Sequence, residues 1–363
     1  MATIDAGFDL GVALVAVAAH GLSEAPARCW PEGGLDDATF ELVCASASRE
    51  RLAGLLLDVV EDGALPATDL QADLAAAHAA VWYQRTRGLD AALLEVHDRL
   101  ATAGIDHRVV KGPATAVLAY GDTLRRPYVD VDVAIQPSAF ADALALLTTE
   151  RWRRLEPDRR RGVVERLAQS VTLTDGSFEL DLHRMLVHPP AGDRLPLAPA
   201  FDVPARSFEL DGVRLPGLPI ADAIVHSAAH TTFDHHLSAP LLRARDLVGL
   251  AAQASPDARA ERARAWGLEA TVESCLGASR ARLGLERGDA RPRAPGPEEA
   301  TALALHARDV SVGRLWSLPR WPDKITWAVA TAVPSREYLR HVGETRWGRI
   351  RRTGRRSAGA VRS

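Results

Sequence analysis

Apolar residues near the start of the chain recur at helical spacing. Residues 1–66 read as a helical region: DDATFELVCASASRERLAGLLLDVV begins at Asp36 and Asp37, both suited to capping, and its apolar positions follow a helical period. Pro66 interrupts that pattern. Residues 67–103 then read as one long helix, with the apolar series Leu70, Leu74, Ala77, Val81, Leu89, Leu93, Val96 and Leu100 and with Gly104 placed to end it. From residue 105 the period shortens. β-Branched runs alternate with helical stretches in the order HRVVK, PATAVLAYG, YVDVDVAI, SAFADALALLTTE, VTLTDG and SFELDLHRML, and TDGS between the last two has hairpin chemistry.

That order predicts an α/β (α+β) fold, a small mixed sheet with helices packed on it, flanked by N- and C-terminal helical domains. Residues 189–219 are Pro-rich and carry a second hairpin on Asp211-Gly212, which reads as part of a linker. Helical periodicity returns at 220 with ADAIVHSAAHTTFDHHL and PLLRARDLVGLAAQ and continues to about 310, broken by the loop GDARPRAPGPEE. The expected organisation is a helical region over 1–66, a mixed α/β core over 67–188, a linker over 189–219, a helical domain over 220–333 and a basic tail over 334–363. The last stretch of that tail, RWGRIRRTGRRSAGAVRS, reads as a fraying helix that ends in disorder, and no internal repeat is visible.

Composition narrows the function classes. A length of 363 residues suits two or three domains, and a formal net charge of −3 argues against a protein whose whole surface binds nucleic acid. Cys29, Cys44 and Cys275 lie far apart with no metal-ligand spacing, which suggests packed thiols in a reducing compartment. The run GVALVAVAAHGL invites a signal-peptide reading, but Asp5 and Asp9 precede it without a basic flank. No segment reaches transmembrane length. The expectation is a cytoplasmic bacterial protein with no membrane partner. Lys111 and Lys324 are the only lysines among 44 basic residues. Where arginine is used so widely, a retained lysine points to a role arginine does not fill.

Lys111 stands close to unusual carboxylates. In YVDVDVAI, strand alternation puts Asp130 and Asp132 on one face and Val131, Val133 and Ile135 on the other. Two neighbouring carboxylates repel, and a divalent cation relieves them; hard oxygen ligands select Mg²⁺. Such a pair alone is more often a solvent-facing strand end. The next strand adds Glu179, Asp181 and His183 on one face. Three carboxylates can hold two Mg²⁺ ions, with Mn²⁺ as a substitute. Asp181, at mid-strand, is preferred as the third ligand, and Glu179 is its rival. Upstream, HRVVK runs into Gly112 and Pro113, a strand-to-helix junction whose free backbone N–H groups suit phosphate, with the Lys111 ammonium beside them. Alone, that junction also describes a tight turn with a surface lysine.

Taken in order, KGPATAVLAYG, RRPYVDVDVAI and FELDLHRML resemble the uncharacterised bacterial nucleotidyltransferase family of the DNA-polymerase-β superfamily. The matching positions are Lys111, Gly112 and Tyr120, then Arg126, Pro127, Asp130 and Asp132, then Asp181, Leu182 and His183. Val110 stands where the family has leucine, and Lys-Gly replaces the superfamily's more usual Gly-Ser. The likeness covers about 67–250 in layout; Ala103-Gly104-Ile105 and the segment from Pro334 through Ser335, Tyr338 and Leu339 to Arg340 are also similar, while the first 60 residues carry no specific match.

The resemblance implies transfer of a nucleoside monophosphate from an NTP such as ATP to an acceptor, with release of pyrophosphate. Asp130 and Asp132 would bind both Mg²⁺ ions. Asp181 would bind the ion that activates the acceptor and serve as base. Lys111, Gly112 and Arg126 would hold the triphosphate. Family members often stand beside peptide natural-product genes, which points to a small-molecule or peptide hydroxyl as acceptor.

Two further clusters stand out. His226, His230 and Asp234 share a helix face, followed by His235 and His236. They read either as a metal site or, preferred in the absence of a His-Glu-x-x-His pattern, as a helix over the cleft. In that reading His183 and His230 contact substrate and Asp246 is a hydrogen-bond partner. Trp316, Trp321 and Trp327 alternate with Arg314, Arg320 and Lys324, a mixture that binds single strands or docks a helix on the core. Nucleic acid is therefore a conceivable acceptor and not the favoured one. The competing readings are a non-catalytic nucleotide-binding or interaction protein that keeps the fold, and a toxin/antitoxin-type nucleotidyltransferase acting on RNA or protein.

Overall fold

The computed structural model describes residues 8–25, 30–149, 151–160, 162–193, 200–233, 240–285, 293–306 and 310–345. Cys29, Asp234, His235, His236 and the tail from Arg346 lie outside them.

The chain begins with α1 (Leu10–Ala19), α2 (Asp37–Arg49) and α3 (Ala53–Glu61). Asp36 caps α2 by accepting from the Thr39 N–H at 2.9 Å. The long helix α4 (Asp69–Thr102) opens on a capping box between Thr68 and Gln71. Its buried stripe departs from the predicted one in the first half. Leu70 and Val81 are exposed, whereas Ala75 and Ala79 are buried and Leu89, Leu93, Val96 and Leu100 enter the sheet core. The alanines lie where α2 and α3 pack on α4, and small side chains let backbones approach there.

Seven strands form one mixed sheet: β1 (His107–Val110), β2 (Val131–Ile135), β3 (Arg153–Arg154), β4 (Ser170–Thr174), β5 (Glu179–His183), β6 (Arg206–Leu210) and β7 (Val213–Gly217). Between them run α5 (Gly112–Thr115), a π-helical turn over Ala116–Tyr120, α6 (Phe140–Leu147) and α7 (Val163–Leu167). The order is β3-β4-β5-β2-β1-β7-β6, so β2 pairs antiparallel with β1 and parallel with β5. The hairpin β6–β7, which the sequence places in a linker, is the sheet's edge. Its Gly217 pairs with Val109 in parallel, and Phe208, Leu210 and Leu215 enter the main core. A parallel partner so far along the chain leaves no local signature.

Eight helices among the described residues follow: α8 (Ile220–Phe233), α9 (Pro240–Ala251), α10 (Pro256–Ala265), α11 (Glu269–Arg282), α12 (Pro297–His306), α13 (Val310–Ser317), α14 (Trp321–Ala332) and α15 (Arg336–His341). Of these, α8 and α9 pack against the second sheet face. Val131, Val133 and Ile135 pack toward α4 and α6, while Val110 and Ala134 belong to a cluster with Ile224, Val225 and Leu247 from α8 and α9. All five residues of β2 are therefore buried, and Asp132 is no solvent-facing strand end. The N-terminal helices are not a separate body either: Phe40, Val43 and Leu56 share a core with Leu242 and Val248 of α9. At the far side α13 and α14 dock on α7 through Leu167, Leu318 and Trp327. Arg314 lies 4.4 Å from the Trp327 ring centroid, a cation–π contact that accounts for part of the Trp–Arg cluster. Trp316 and Trp321 stay exposed. No described helix is long and apolar enough to cross a membrane.

Candidate active site

The carboxylates of β2 and β5 meet because the register aligns them. Asp132 lies opposite Asp181 in the parallel pair and opposite Val110 in the antiparallel one. Lys111 follows Val110 directly. Its backbone sits at φ 54, a left-handed conformation that costs about 1–3 kcal/mol for a bulky residue. That kink turns the chain from β1 into α5 and aims the side chain at β2, where Nζ reaches Asp132 Oδ1 at 2.9 Å. Gly112 packs closely on the next segment: a Cβ there would lie 3.1 Å from Tyr128 Cγ and would have to push the buried ring aside by a few tenths of an ångström. Tyr128 is fixed from below by donating its hydroxyl to Asp90 of α4.

Asp132 Oδ1 also lies 2.6 Å from His183 Nε2. Asp181 accepts from the Thr172 hydroxyl at 2.5 Å, a bond from the neighbouring strand that orients its carboxylate. One ligand atom each from Asp132, Asp181 and His183 falls within 4.8 Å of the others, close enough to share one ion. Asp130, one residue before β2, lines the cleft but is not in that set. Glu179 is exposed at the start of β5 and also lies outside it. The donor set of two carboxylates and an imidazole suits a divalent cation. The oxygens fit Mg²⁺, and the nitrogen also admits Mn²⁺.

The electrostatics separate the carboxyls. Burial opposes charge on Asp132, but Lys111 and His183 outweigh it and hold the carboxyl well below the usual range. Burial likewise opposes the Lys111 ammonium, and Asp132 outweighs that too, raising its value. On Asp130, burial and then repulsion from Asp132 outweigh the attraction of Lys111 and push it up to about 6. On the α8 side of the cleft, burial and then the Lys111 charge push His226 down to about 3 and His230 well below its ordinary value. Both rings are neutral at neutral pH, and the buried Nε2 of His226 has no hydrogen-bond partner among the described residues.

Arg126 is held at the back of the cleft. Its Nε and Nη2 donate to Asp246 at 3.1 and 2.7 Å, and the Tyr120 hydroxyl donates to the same carboxylate at 2.7 Å. The Tyr of the Lys-Gly motif, the Arg of the Arg-Pro motif and an Asp of α9 thus form one buried network. The remaining terminal nitrogen of Arg126 is the part left to face the cleft. The cleft, about 210 Å³, is lined as well by Arg51 from the α2–α3 turn. No motif marks Arg51, and only the fold brings it here.

Residues 36–284 match the model of a protein family described as uncharacterised nucleotidyltransferase. The chain belongs to that family. The matched span starts at the cap of α2, well upstream of the Lys-Gly motif, so it takes in α2, Arg51 and α3 but not α1. A comparison with curated proteins gave no match.

Solved structures similar to this nucleotidyltransferase include the antibiotic-resistance factor ANT(2'')-Ia, at 11% identity and a TM-score of 0.36, covering 55% of this chain and 95% of that one. The same factor in complex with adenylyl-2''-tobramycin gives 12% and 0.34, covering 53% and 97%. An antigenic nucleotidyltransferase-like protein from Paracoccidioides brasiliensis gives 16% and 0.35, covering 56% and 94%.

Proposed function

We propose that this nucleotidyltransferase moves a nucleoside monophosphate from an NTP to a hydroxyl of a small molecule or peptide, releasing pyrophosphate, with Mg²⁺ as cofactor. The observation that carries the reading is the meeting of Asp132, Asp181 and His183 within 4.8 Å, with Asp132 lining a cleft that also presents Lys111 and Arg126. Asp130, Asp132 and Asp181 would hold two ions. Bound there, divalent cations supply charge neutralisation at the phosphates and acidify the acceptor hydroxyl.

The chain's own residues do the rest. Lys111, the Gly112 N–H and the free nitrogen of Arg126 bind and orient the triphosphate, which is most of the work in phosphoryl chemistry. One Asp181 oxygen is tied by Thr172, so the other is available to take the acceptor's proton. The acceptor oxygen bonds to the α-phosphorus as the bridging P–O bond breaks. His183, buried and bonded through both ring nitrogens, keeps Asp132 in place, and His230, which lines the cleft, is the histidine positioned toward substrate.

The test is incubation with each α-labelled NTP, Mg²⁺ and a panel of acceptors. Label should move in the native protein and not in Asp132→Ala. Equal transfer by the variant would sink the assignment, and nucleotide binding without any transfer would favour a non-catalytic binder.

A further inference from the structure

We propose that Arg51, supplied by the N-terminal helices, binds the triphosphate of the nucleotide and completes the phosphate side of the cleft. This rests on the NTP reading above and adds a residue that none of the motifs contains.

Its position comes first. Arg51 lines the same cleft as Lys111, Asp130 and Arg126. It is held there by two contacts of α3 with the loop that carries Arg126. At Gly54 a Cβ would lie 2.2 Å from the Leu124 carbonyl oxygen, an approach open only to glycine. Asp58 pairs with Arg125 at 2.8 Å. The helices that present Arg51 are thus docked on the site by a backbone contact and an ion pair.

Conformation comes second. The Arg51 N–H donates to the Ser48 carbonyl at 3.0 Å and the Leu52 N–H to the Ala47 carbonyl at 2.7 Å. These two bonds form the Schellman turn that ends α2. Its left-handed position normally takes glycine, yet Arg51 occupies it at φ 60. A chain that needed only the turn would gain stability from glycine. Keeping arginine against that preference means the side chain is needed.

Pairing comes third. Among the described residues the Arg51 guanidinium makes neither a hydrogen bond nor an ion pair. Its charged neighbours are Arg126 and Arg243 on one side and Asp246 and Asp130 on the other, and burial followed by Arg126 repulsion outweighs the carboxylates and lowers its basicity. A half-buried cation beside other cations is unfavourable until an anion arrives. A triphosphate is that anion, because the planar guanidinium fork matches two phosphate oxygens at once.

The experiment measures calorimetric binding of inorganic tripolyphosphate, with Mg²⁺ present, to the full chain and to Arg51→Gln and Arg51→Gly. Losing charge-assisted bonds should weaken binding roughly ten- to a hundredfold in both variants. Arg51→Gly should also melt at a higher temperature, because the turn is relieved. Weakened binding with an unchanged or raised melting point supports the proposal. Native-like binding by both variants, or no binding by the native chain, overturns it. Label transfer is followed separately in the same preparations. Native-like transfer alongside unaltered tripolyphosphate binding removes Arg51 alone; Arg51-dependent binding without any transfer keeps the anion site and removes the transferase reading.

Discussion

Replacing Asp246 with alanine should unsettle the site from behind. Asp246 is buried and accepts three hydrogen bonds, two from Arg126 and one from Tyr120. Removing one partner of a buried ion pair costs about 3–5 kcal/mol, since the other charge stays buried. A Tyr120 hydroxyl left without an acceptor would alone cost roughly 1–3 kcal/mol, but the cleft-facing nitrogen of Arg126 keeps the total near the pair estimate. Asp246→Ala should therefore lose about 3–5 kcal/mol, a large part of the roughly 5–15 kcal/mol that holds a domain. Urea unfolding should show a lower midpoint with the slope unchanged. The double variant Asp246→Leu with Arg126→Met should recover much of the loss, because an apolar pair leaves no unpaired charge. A loss below about 1 kcal/mol in Asp246→Ala, or a double variant less stable than the single one, would refute this account of the network.

Two other outcomes are expected. Burial raises Asp90 from 3.8 to about 6, against the hydrogen bond from Tyr128. The folded state therefore holds this proton more tightly than the unfolded one. Stability from this group is fully present below about pH 4 and is lost as pH rises through about 6, by roughly 3 kcal/mol. Asp90→Asn keeps an acceptor for Tyr128 and should flatten that dependence in urea titrations at about pH 5 and about pH 8; an unchanged pH slope would contradict it. Lys111→Arg should fold normally yet transfer label at least roughly tenfold more slowly, because the planar guanidinium cannot take the place of Nζ on Asp132 without shifting the kinked backbone. Native rates in steady-state kinetics would return Lys111 to a compositional accident.

Local pattern carried much of the fold. The helical period and Gly104 gave α4, and Gly-containing turns gave both hairpins, because these signals lie within a few residues of what they specify. Period-two alternation set Asp181 and His183 on one face of β5. What the sequence did not show depends on partners far along the chain. Strand β7, which joins the edge strand β6 to the sheet, finds β1 more than a hundred residues upstream. In the first half of α4 the buried face is set by the packing of α2 and α3 rather than by Leu70 and Val81. Asp130 and Asp132 look equivalent in sequence, yet only Asp132 meets Lys111 and His183, because pairing begins at Val131 and leaves Asp130 outside the ladder. Arg51 has no local sign at all, since its left-handed backbone is visible only in three dimensions.

The shared core of the N-terminal helices and α9 has a practical consequence for dissecting the gene. A fragment cut to begin at residue 67 would keep every motif, yet it would strip Phe40, Val43 and Leu56 from Leu242, Val248 and Tyr120. The exposed patch would lie on the helix that carries Asp246, so the smallest autonomous catalyst must include the residues ahead of the first motif.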